Sequence, residues 1–179
     1  MSYRELKSYE QATIIYDFTV EFTKRYIAGA SRTKDQMDQA ARSGKQNIVE
    51  ASSEKTSEKS ELFLLGVARA SFEELLADFE DFLRQRGFKK REKDSAEART
   101  VRALAHSSDK TYASYLSDPK QAANAAICLI HQTNFLLDRQ IKAAEAHFIE
   151  KGGYTENLRR RREEEKKRQV VNAFWRKHS

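Results

Sequence analysis

The residues of this sequence whose type and spacing suit them to chemistry are lysines and arginines gathered in two short stretches. Ammonium and guanidinium groups at this density are typical of surfaces that contact the phosphates of nucleic acids. The alternative is a solvated surface, in which pairs such as Arg159 and Glu163, at i and i+4, merely support a helix. The candidates are Arg84, Arg86, Lys89, Lys90, Arg91 and Lys93 in the first stretch, and Arg159, Arg160, Arg161, Arg162, Lys166, Lys167 and Arg168 in the second.

The second stretch carries most of the positive charge of the chain. The 179 residues include 33 Lys and Arg and 27 Asp and Glu, a formal net charge of +6. Nine of the basic and four of the acidic residues fall in residues 154–179, so this segment has a net charge of +5 and residues 1–153 have +1. A nearly neutral body with a basic tail is a common electrostatic footprint of polyanion binding.

Histidine, cysteine and acidic residues do not form a pattern typical of an enzyme or a metal protein. His131 and His147 would lie about 24 Å apart on one helix, too far to share a metal ion. The sequence has neither His-Glu-x-x-His nor Glu-x-x-His. Cys128 lies among apolar residues, which favours a buried structural thiol over a nucleophile. We therefore predict no catalytic residue, no metal site and no cofactor.

Composition limits the fold class before any element is placed. One proline and six glycines are too few turn-formers for a sandwich or barrel, and one cysteine excludes a disulfide framework. No apolar run approaches the length of a transmembrane helix, and the N-terminus has no apolar core of a signal peptide. These features predict an all-α, cytoplasmic protein that does not enter a membrane.

Four long helices are expected to position the candidate residues, since apolar residues recur at spacings of three and four. We expect these helices at residues 4–28, 33–53, 58–86 and 118–150. Their expected caps are Ser31 or Thr33, Ser57, and Asp118 followed by Pro119. The chain is expected to leave these helices at Gly29, Gly87 and Gly152-Gly153. Between the third and fourth helices we expect a basic loop or helix start at 88–93 and a weaker helix at 94–107.

Small residues dominate the inner line of the second helix. Gly44 costs about 1 kcal/mol relative to Ala inside a helix, which indicates a tight crossing with a neighbouring helix or a local bend. Asn47 and Glu50 are expected to tie helix ends together by hydrogen bonds rather than to contact a ligand. Arg69 interrupts the apolar stripe of the third helix, and we expect it to pair with Glu50 or Glu73, because a buried charge needs a partner.

The tail is expected to form a further helix over 154–177. Most of it is charged, but four apolar residues near its end form an anchor that we expect to dock on the body of the protein or on a neighbouring subunit. The residues of this tail anchor are Val170, Val171, Phe174 and Trp175.

Motifs in the second and third helices carry a resemblance to a known family. Ala40-Ala41 is followed by Gly44 and by Asn47-Ile48-Val49-Glu50, and Ser57 precedes a helix that contains Ala68, Ser71, Glu74 and Leu75. In this pattern the chain resembles the four-helix-bundle proteins related to ribosomal RNA intervening-sequence proteins, and most closely the subgroup named for a four-helix-bundle suffix domain. The family usually has Gly after the Glu, where this chain has Ala51, so the second helix is expected to end less sharply. The resemblance covers about residues 5–150.

The resemblance implies an antiparallel four-helix bundle that assembles into a homopentamer. Relatives include proteins encoded inside ribosomal RNA intervening sequences and the accessory protein of diversity-generating retroelements, which binds nucleic acid and a reverse transcriptase. The resemblance therefore implies RNA or DNA, and a protein such as a reverse transcriptase, as partners.

Together these features predict an up-down four-helix bundle over residues 1–153, with a polar insertion at about 88–117, and a basic helical suffix over 154–179. The predicted function is that of a non-catalytic, oligomeric nucleic-acid-binding or adaptor protein. The alternative is a protein-interaction scaffold whose C-terminal helix docks on a partner or sister subunit.

Overall fold

The computed structural model describes residues 3–53, 56–104 and 112–178, and over these ranges the regular structure is helical, with no strand. The α-helices are α1 (Lys7–Tyr26), α2 (Arg32–Ala51), α3 (Glu58–Gln85), α4 (Ala96–Leu104), α5 (Pro119–Lys151) and α6 (Tyr154–His178). Short 3-10 helices cover Tyr3–Glu5 and Ala113–Ser117. The all-α prediction is confirmed. The first helix is shorter than expected because its first residues form the 3-10 turn, and residues 105–107 of the weaker helix lie outside the described residues.

Local capping residues begin the helices where the sequence predicts. The Ser31 side chain accepts a hydrogen bond from the Thr33 backbone N–H at 3.2 Å. Ser57 accepts one from the Ser60 N–H at 3.3 Å, and Asp118 accepts one from the Gln121 N–H at 2.7 Å, with Pro119 at the first helical position. Each cap satisfies a backbone donor that has no partner inside the helix.

The four long helices α1, α2, α3 and α5 enclose one apolar core. Helix α1 packs on α2 and α5, α2 packs on α3, and α3 packs on α5; α4 and the 3-10 helix Ala113–Ser117 pack on α5. Phe22 of α1 is fully buried, and its ring lies 4.9 Å from that of Phe79 and 4.8 Å from that of Phe82, centroid to centroid. Edge-to-face aromatic contacts of this kind join α1 to α3.

Gly44 marks a close approach of α2 and α3, as the sequence predicts. A Cβ atom built on Gly44 would lie 2.6 Å from Cζ of Phe72, whose ring is fully buried. The small residues Ala40 and Ala41, one turn earlier, are also buried. The absence of side-chain volume on this line of α2 is therefore what lets the Phe72 ring lie against the α2 backbone.

Polar side chains connect neighbouring helices next to this crossing. The hydroxyls of Ser43 and Ser71 are 3.0 Å apart, and Asn47 donates to the Ser43 carbonyl at 2.9 Å. Among the described residues Asn47 thus bonds within α2, beside the serine link between α2 and α3, and the tie between helix ends expected of it stays a prediction. Glu50 contributes its backbone carbonyl, which accepts from the Thr56 hydroxyl at 2.6 Å, while its side chain is exposed, as is that of Glu74.

Arg69 joins α3 to α5. Its guanidinium donates to Glu73 at 2.8 Å and to Asp138 at 2.6 Å. Of the two partners expected from the sequence, the structure has Glu73 and not Glu50. Because the Arg69 side chain is one-third exposed, the charge is shared between two carboxylates at the edge of the interface rather than inside the core.

Helix α2 ends at Ala51, two residues before the expected end at residue 53 and at the position where the pattern of the resemblance has Gly. Ala51 is buried, and the following residue, Ser52, has φ −90°. No left-handed residue is needed at this turn, so Ala is accommodated without strain.

The C-terminal helix differs from the others in its surroundings. Gly152, with φ +72°, ends α5 in a conformation that favours glycine, and α6 begins two residues later. Every described side chain from 159 to 176 is exposed. None of the described helices combines the length and apolar character needed to cross a membrane. The division of the chain at 153 stays a prediction.

Candidate nucleic-acid interface

The basic stretch after α3 begins at a left-handed glycine. Gly87 has φ +66°; its N–H donates to the Arg84 carbonyl at 3.1 Å, and the Phe88 N–H donates to the Leu83 carbonyl at 2.8 Å. These two bonds form a Schellman motif, which ends a helix and turns the chain away. Phe88 packs against the core, so the chain that follows is directed across the surface as a loop, one of the two alternatives predicted for residues 88–93.

A buried amide on α5 holds the middle of this loop. Asn124, which is 3% exposed, accepts a hydrogen bond from the Arg91 N–H at 2.7 Å. Its own NH2 group is within 3.3 Å of the Lys89 carbonyl and 2.9 Å of the Lys120 carbonyl. These hydrogen bonds fix the loop backbone to α5. The basic side chains of the loop therefore start from a fixed stretch of backbone.

Helix α4 holds the far end of the loop. Arg102 donates to the Lys93 carbonyl at 2.7 Å, and Gln132 of α5 is within 3.4 Å of the Arg102 carbonyl. The loop, α4 and α5 are thereby joined through backbone carbonyls, which leaves the Lys93 ammonium exposed.

An open groove of about 1350 Å³ lies between this loop, the start of α1 and the middle of α5. Six lysines and arginines against two glutamates give its lining a formal charge of +4. Three cations come from the loop and three from separate helices, so the fold concentrates charge that is scattered in the sequence. The basic lining residues are Lys7, Lys90, Arg91, Lys93, Arg102 and Arg139, and the acidic ones are Glu10 and Glu92.

The floor of the groove is partly apolar. Ile127, Cys128, Phe135 and Leu136 of α5 line it, and the Phe135 side chain is 61% exposed. The guanidinium carbon of Arg139 lies 6.0 Å from the centre of the Phe135 ring. Burial raises the pKa of the Cys128 thiol, which keeps it protonated at neutral pH and a weak nucleophile.

The structure divides the first stretch of predicted basic residues. Lys90, Arg91 and Lys93 line the groove, and Lys90 also pairs with Glu80 at 2.7 Å. Lys89 does not line the groove but lines a smaller hollow, which Lys90 and Arg91 also line.

Arg84 and Arg86 are not among the lining residues, and both are engaged elsewhere in the fold. Arg84 pairs with Asp81 at 2.9 Å. Arg86 donates to the Tyr26 carbonyl at 3.2 Å and lies 3.8 Å above the Phe82 ring. The contacts of Arg86 indicate a structural role at the ends of α1 and α3, whereas the pair of Arg84 with Asp81 is exposed and leaves the Arg84 guanidinium accessible.

The predicted residues of the second stretch are all exposed along α6. The expected pair of Arg159 and Glu163 is present at 3.2 Å, and Arg168 pairs with Glu165 at 2.8 Å. Exposed ion pairs of this kind contribute between zero and about 1 kcal/mol and leave the guanidinium groups accessible to an anion. The remaining members are Arg160, Arg161, Arg162, Lys166 and Lys167.

The tail anchor is likewise exposed rather than docked on the body of the chain. Val170 is 70% exposed, Val171 52%, Phe174 54% and Trp175 62%. The rings of Phe174 and Trp175 meet edge to face, with centroids 5.8 Å apart. At 100° per residue the four side chains span an arc of about 140°, so they form one apolar face.

Sequence reasoning missed the contributions of α1, α4 and α5 to the groove. Lys7, Arg102 and Arg139 are separated by 95 and 37 positions, and only helix packing brings them to one surface. A local signal existed for one pair: Phe135 and Arg139 are four residues apart and therefore adjacent on a helix.

The histidines are not gathered into a site in the described part of the chain. His131 lines the groove and His147 is exposed; His106 and the side chain of His178 lie outside the described residues. Among the residues that the structure describes, no three His, Cys, Asp or Glu side chains form a group that could hold a metal ion.

Comparisons of the chain with family models, with curated proteins and with solved structures find no match. Membership of the intervening-sequence family stays a prediction that rests on the motifs of α2 and α3.

Proposed function

We propose that this protein is a non-catalytic nucleic-acid-binding protein that contacts phosphates through the basic groove and the α6 helix. The observation that carries the proposal is the convergence of six basic side chains from four parts of the chain on one surface with a net charge of +4. Such a surface attracts polyanions by releasing their counterions. The exposed guanidinium groups of α6 extend the same attraction beyond the body.

We further propose the antiparallel up-down arrangement expected for α1, α2, α3 and α5, with α6 as an extension. Paired contacts support it. Near its start α1 meets the end region of α5 through Ser8 and Gln140 at 2.8 Å, and at its end Tyr26 bonds to the Leu116 carbonyl at 2.6 Å. Between α3 and α5, Arg69 meets Asp138 whereas Glu73 meets Asn134, so sequence numbers run in opposite directions here too.

The oligomeric state belongs to the same proposal. By resemblance we propose a homopentamer that is cytoplasmic and has a protein such as a reverse transcriptase as a partner. The contiguous apolar face of α6, formed by Val170, Val171, Phe174 and Trp175, supports association, because all four side chains are exposed and contiguous exposed apolar patches are typical of protein interfaces.

A charge-removal experiment tests the groove. The triple variant Lys7→Gln, Lys93→Gln, Arg139→Gln removes three exposed groove cations. We expect weaker binding to a fluorescent 20-nucleotide RNA in anisotropy titrations. Because each lost phosphate contact reduces the slope of log K against log salt by about 0.7 for a single strand, the slope should flatten by about 2.

The matched control removes the same charge elsewhere. Lys24→Gln, Arg99→Gln and Lys142→Gln are exposed positions that are not among the groove-lining residues. Equal weakening by both triples would show that net charge alone drives binding, and an absence of salt-dependent binding by the native chain would overturn the proposal.

The apolar face of α6 favours a second candidate function, that of an adaptor whose C-terminal helix docks on a sister subunit. Trp175, on this face, is the only tryptophan of the chain, so its fluorescence reports docking directly. We expect its emission to shift to shorter wavelength as the protein concentration rises, and Val171→Gln, one helical turn away, to suppress the shift. Emission typical of a solvated indole at every concentration would contradict docking between copies.

A further inference from the structure

We propose that the groove binds single-stranded rather than duplex nucleic acid, with a base stacked on the ring of Phe135. This inference rests on the proposed function and names its substrate class. It follows from the floor of the groove and not from its charge, because positive charge alone would attract both forms of nucleic acid.

The exposed ring of Phe135 lies in the same groove as the basic side chains that would hold the phosphate backbone of a nucleic acid. Phe135 is 61% exposed, although Ile127 and Leu136 beside it are buried or half-buried. Lysines and arginines line the same groove. A basic groove that tracks the backbone, combined with aromatic rings on which bases stack, is the arrangement by which proteins bind single strands without reading sequence.

Duplex nucleic acid does not match this floor. In a duplex the faces of the bases are stacked on one another, so a protein ring can stack only on a base that is unpaired or splayed out. The groove follows α5 from Asn124 to Arg139, a length of about 22 Å at 1.5 Å per residue. Its volume of about 1350 Å³ exceeds the roughly 300–1,000 Å³ of typical small-molecule pockets, which favours an extended chain over an isolated nucleotide.

Two glutamines supply an independent observation. Gln11 and Gln132 line the groove, and the Oε1 atom of each is buried without a hydrogen-bond partner in the described structure. Gln11 is only 5% exposed. A buried acceptor without a donor is unfavourable. Because each Oε1 atom is covered in this conformation, the glutamine side chain must turn toward the groove to accept a hydrogen bond from a ligand. The amino group of a base can then supply the donor, whereas a phosphate only accepts.

Arg139 completes the stacking position. Its guanidinium lies 6.0 Å from the centre of the Phe135 ring, close enough to contact the phosphate of a nucleotide whose base covers that ring. We therefore assign the two residues different parts: Phe135 holds the base and Arg139 the backbone.

The experiment compares two probes on the 179-residue chain. Anisotropy titrations use a fluorescent 12-nucleotide single-stranded RNA and a blunt 12-base-pair RNA duplex of the same sequence. We expect the native chain to prefer the single strand. Phe135→Ala should weaken single-strand binding by about 5-fold or more, the lower end of what removal of one stacking ring costs, and should leave duplex binding unchanged.

Two further variants control for folding and for surface hydrophobicity. Phe135→Trp keeps a stacking ring and should retain or exceed native affinity. Phe63→Ala removes an exposed ring from α3 at a position that is not among the groove-lining residues. The affinity of this variant for the single-stranded RNA should therefore equal that of the native chain.

The outcomes separate this inference from the proposed function. Equal affinity for both probes, or a Phe135→Ala variant that binds the single strand as the native chain does, would overturn single-strand stacking and leave phosphate binding by the groove intact. A loss on Phe135→Ala that Phe135→Trp does not restore would show a packing role instead and would also overturn it. Binding to neither probe would overturn the proposed function itself.

Discussion

Gly44 is the residue on which the packing of α2 against α3 depends most directly. Replacing it with Ala adds a methyl group 2.6 Å from Cζ of Phe72, and the Phe72 ring is fully buried and cannot move aside without displacing its neighbours. Overpacking of this kind costs about 1–3 kcal/mol, against a gain of about 1 kcal/mol in helix propensity. We expect Gly44→Ala to lower the free energy of unfolding by about 1 kcal/mol, measured by urea denaturation.

Gly66 provides the matched control for this substitution. It also lies inside a helix, but nothing stands within 4 Å of a Cβ built on it. Gly66→Ala should therefore raise the free energy of unfolding by about 0.5–1 kcal/mol. Changes of the same sign in both variants would mean that the crossing with Phe72 does not decide the effect at Gly44.

Asp118 shows how a local signal sets the position of a whole element. Helix α5 is 33 residues long, contacts α1, α3 and α4 and forms the floor of the groove. Asp118→Ala removes the cap that accepts from the Gln121 N–H at 2.7 Å. We expect a loss of about 1 kcal/mol in the free energy of unfolding, detected as a lower urea midpoint with an unchanged slope. Asp118→Asn keeps an accepting oxygen and should stay close to the native value.

The elements were largely predictable from the sequence because their signals are local. Ser57 and Asp118 cap the helices they were expected to cap, and Gly87 ends α3 as expected. Contacts between distant segments were not predictable in the same way. Arg69 pairs with Asp138 as well as with Glu73, and Asp138 lies 69 residues from Arg69 in the sequence. No periodic pattern encodes that pairing.

The residues of the groove likewise fall into those with a local signal in the sequence and those brought together only by packing. Its loop residues, including Arg91, form a basic run that is visible in the sequence, and they were predicted. The position of Asn124, which holds this loop on α5, depends on how α5 packs, as does the approach of Lys7 from α1. The ring of Phe135 was not predicted because exposure depends on the final packing and not on residue type.

Charge is distributed unevenly over the whole molecule, and α6 holds most of the surplus. Residues 154–179 carry +5 of the net +6, and every described side chain from 159 to 176 is exposed to solvent rather than packed on the core. The helix should therefore contribute to binding without contributing to the stability of the core. This makes it possible to remove the tail and still study a folded protein.

Two truncations separate the charge of α6 from its apolar face. A chain ending at Gly153 should unfold within about 0.5 kcal/mol of the 179-residue chain, since every described side chain that it loses from 159 to 176 is exposed. It should bind RNA with a markedly smaller salt dependence. A chain ending at Gln169 lacks the tail anchor but keeps all seven predicted basic residues of α6, so its salt dependence should stay near that of the full chain. If both truncations bind RNA with the same measurable affinity and salt dependence, the basic residues of α6 do not contact the nucleic acid. If ending at Gln169 already abolishes binding, the anchor is required, and association of subunits through α6 precedes contact with phosphate.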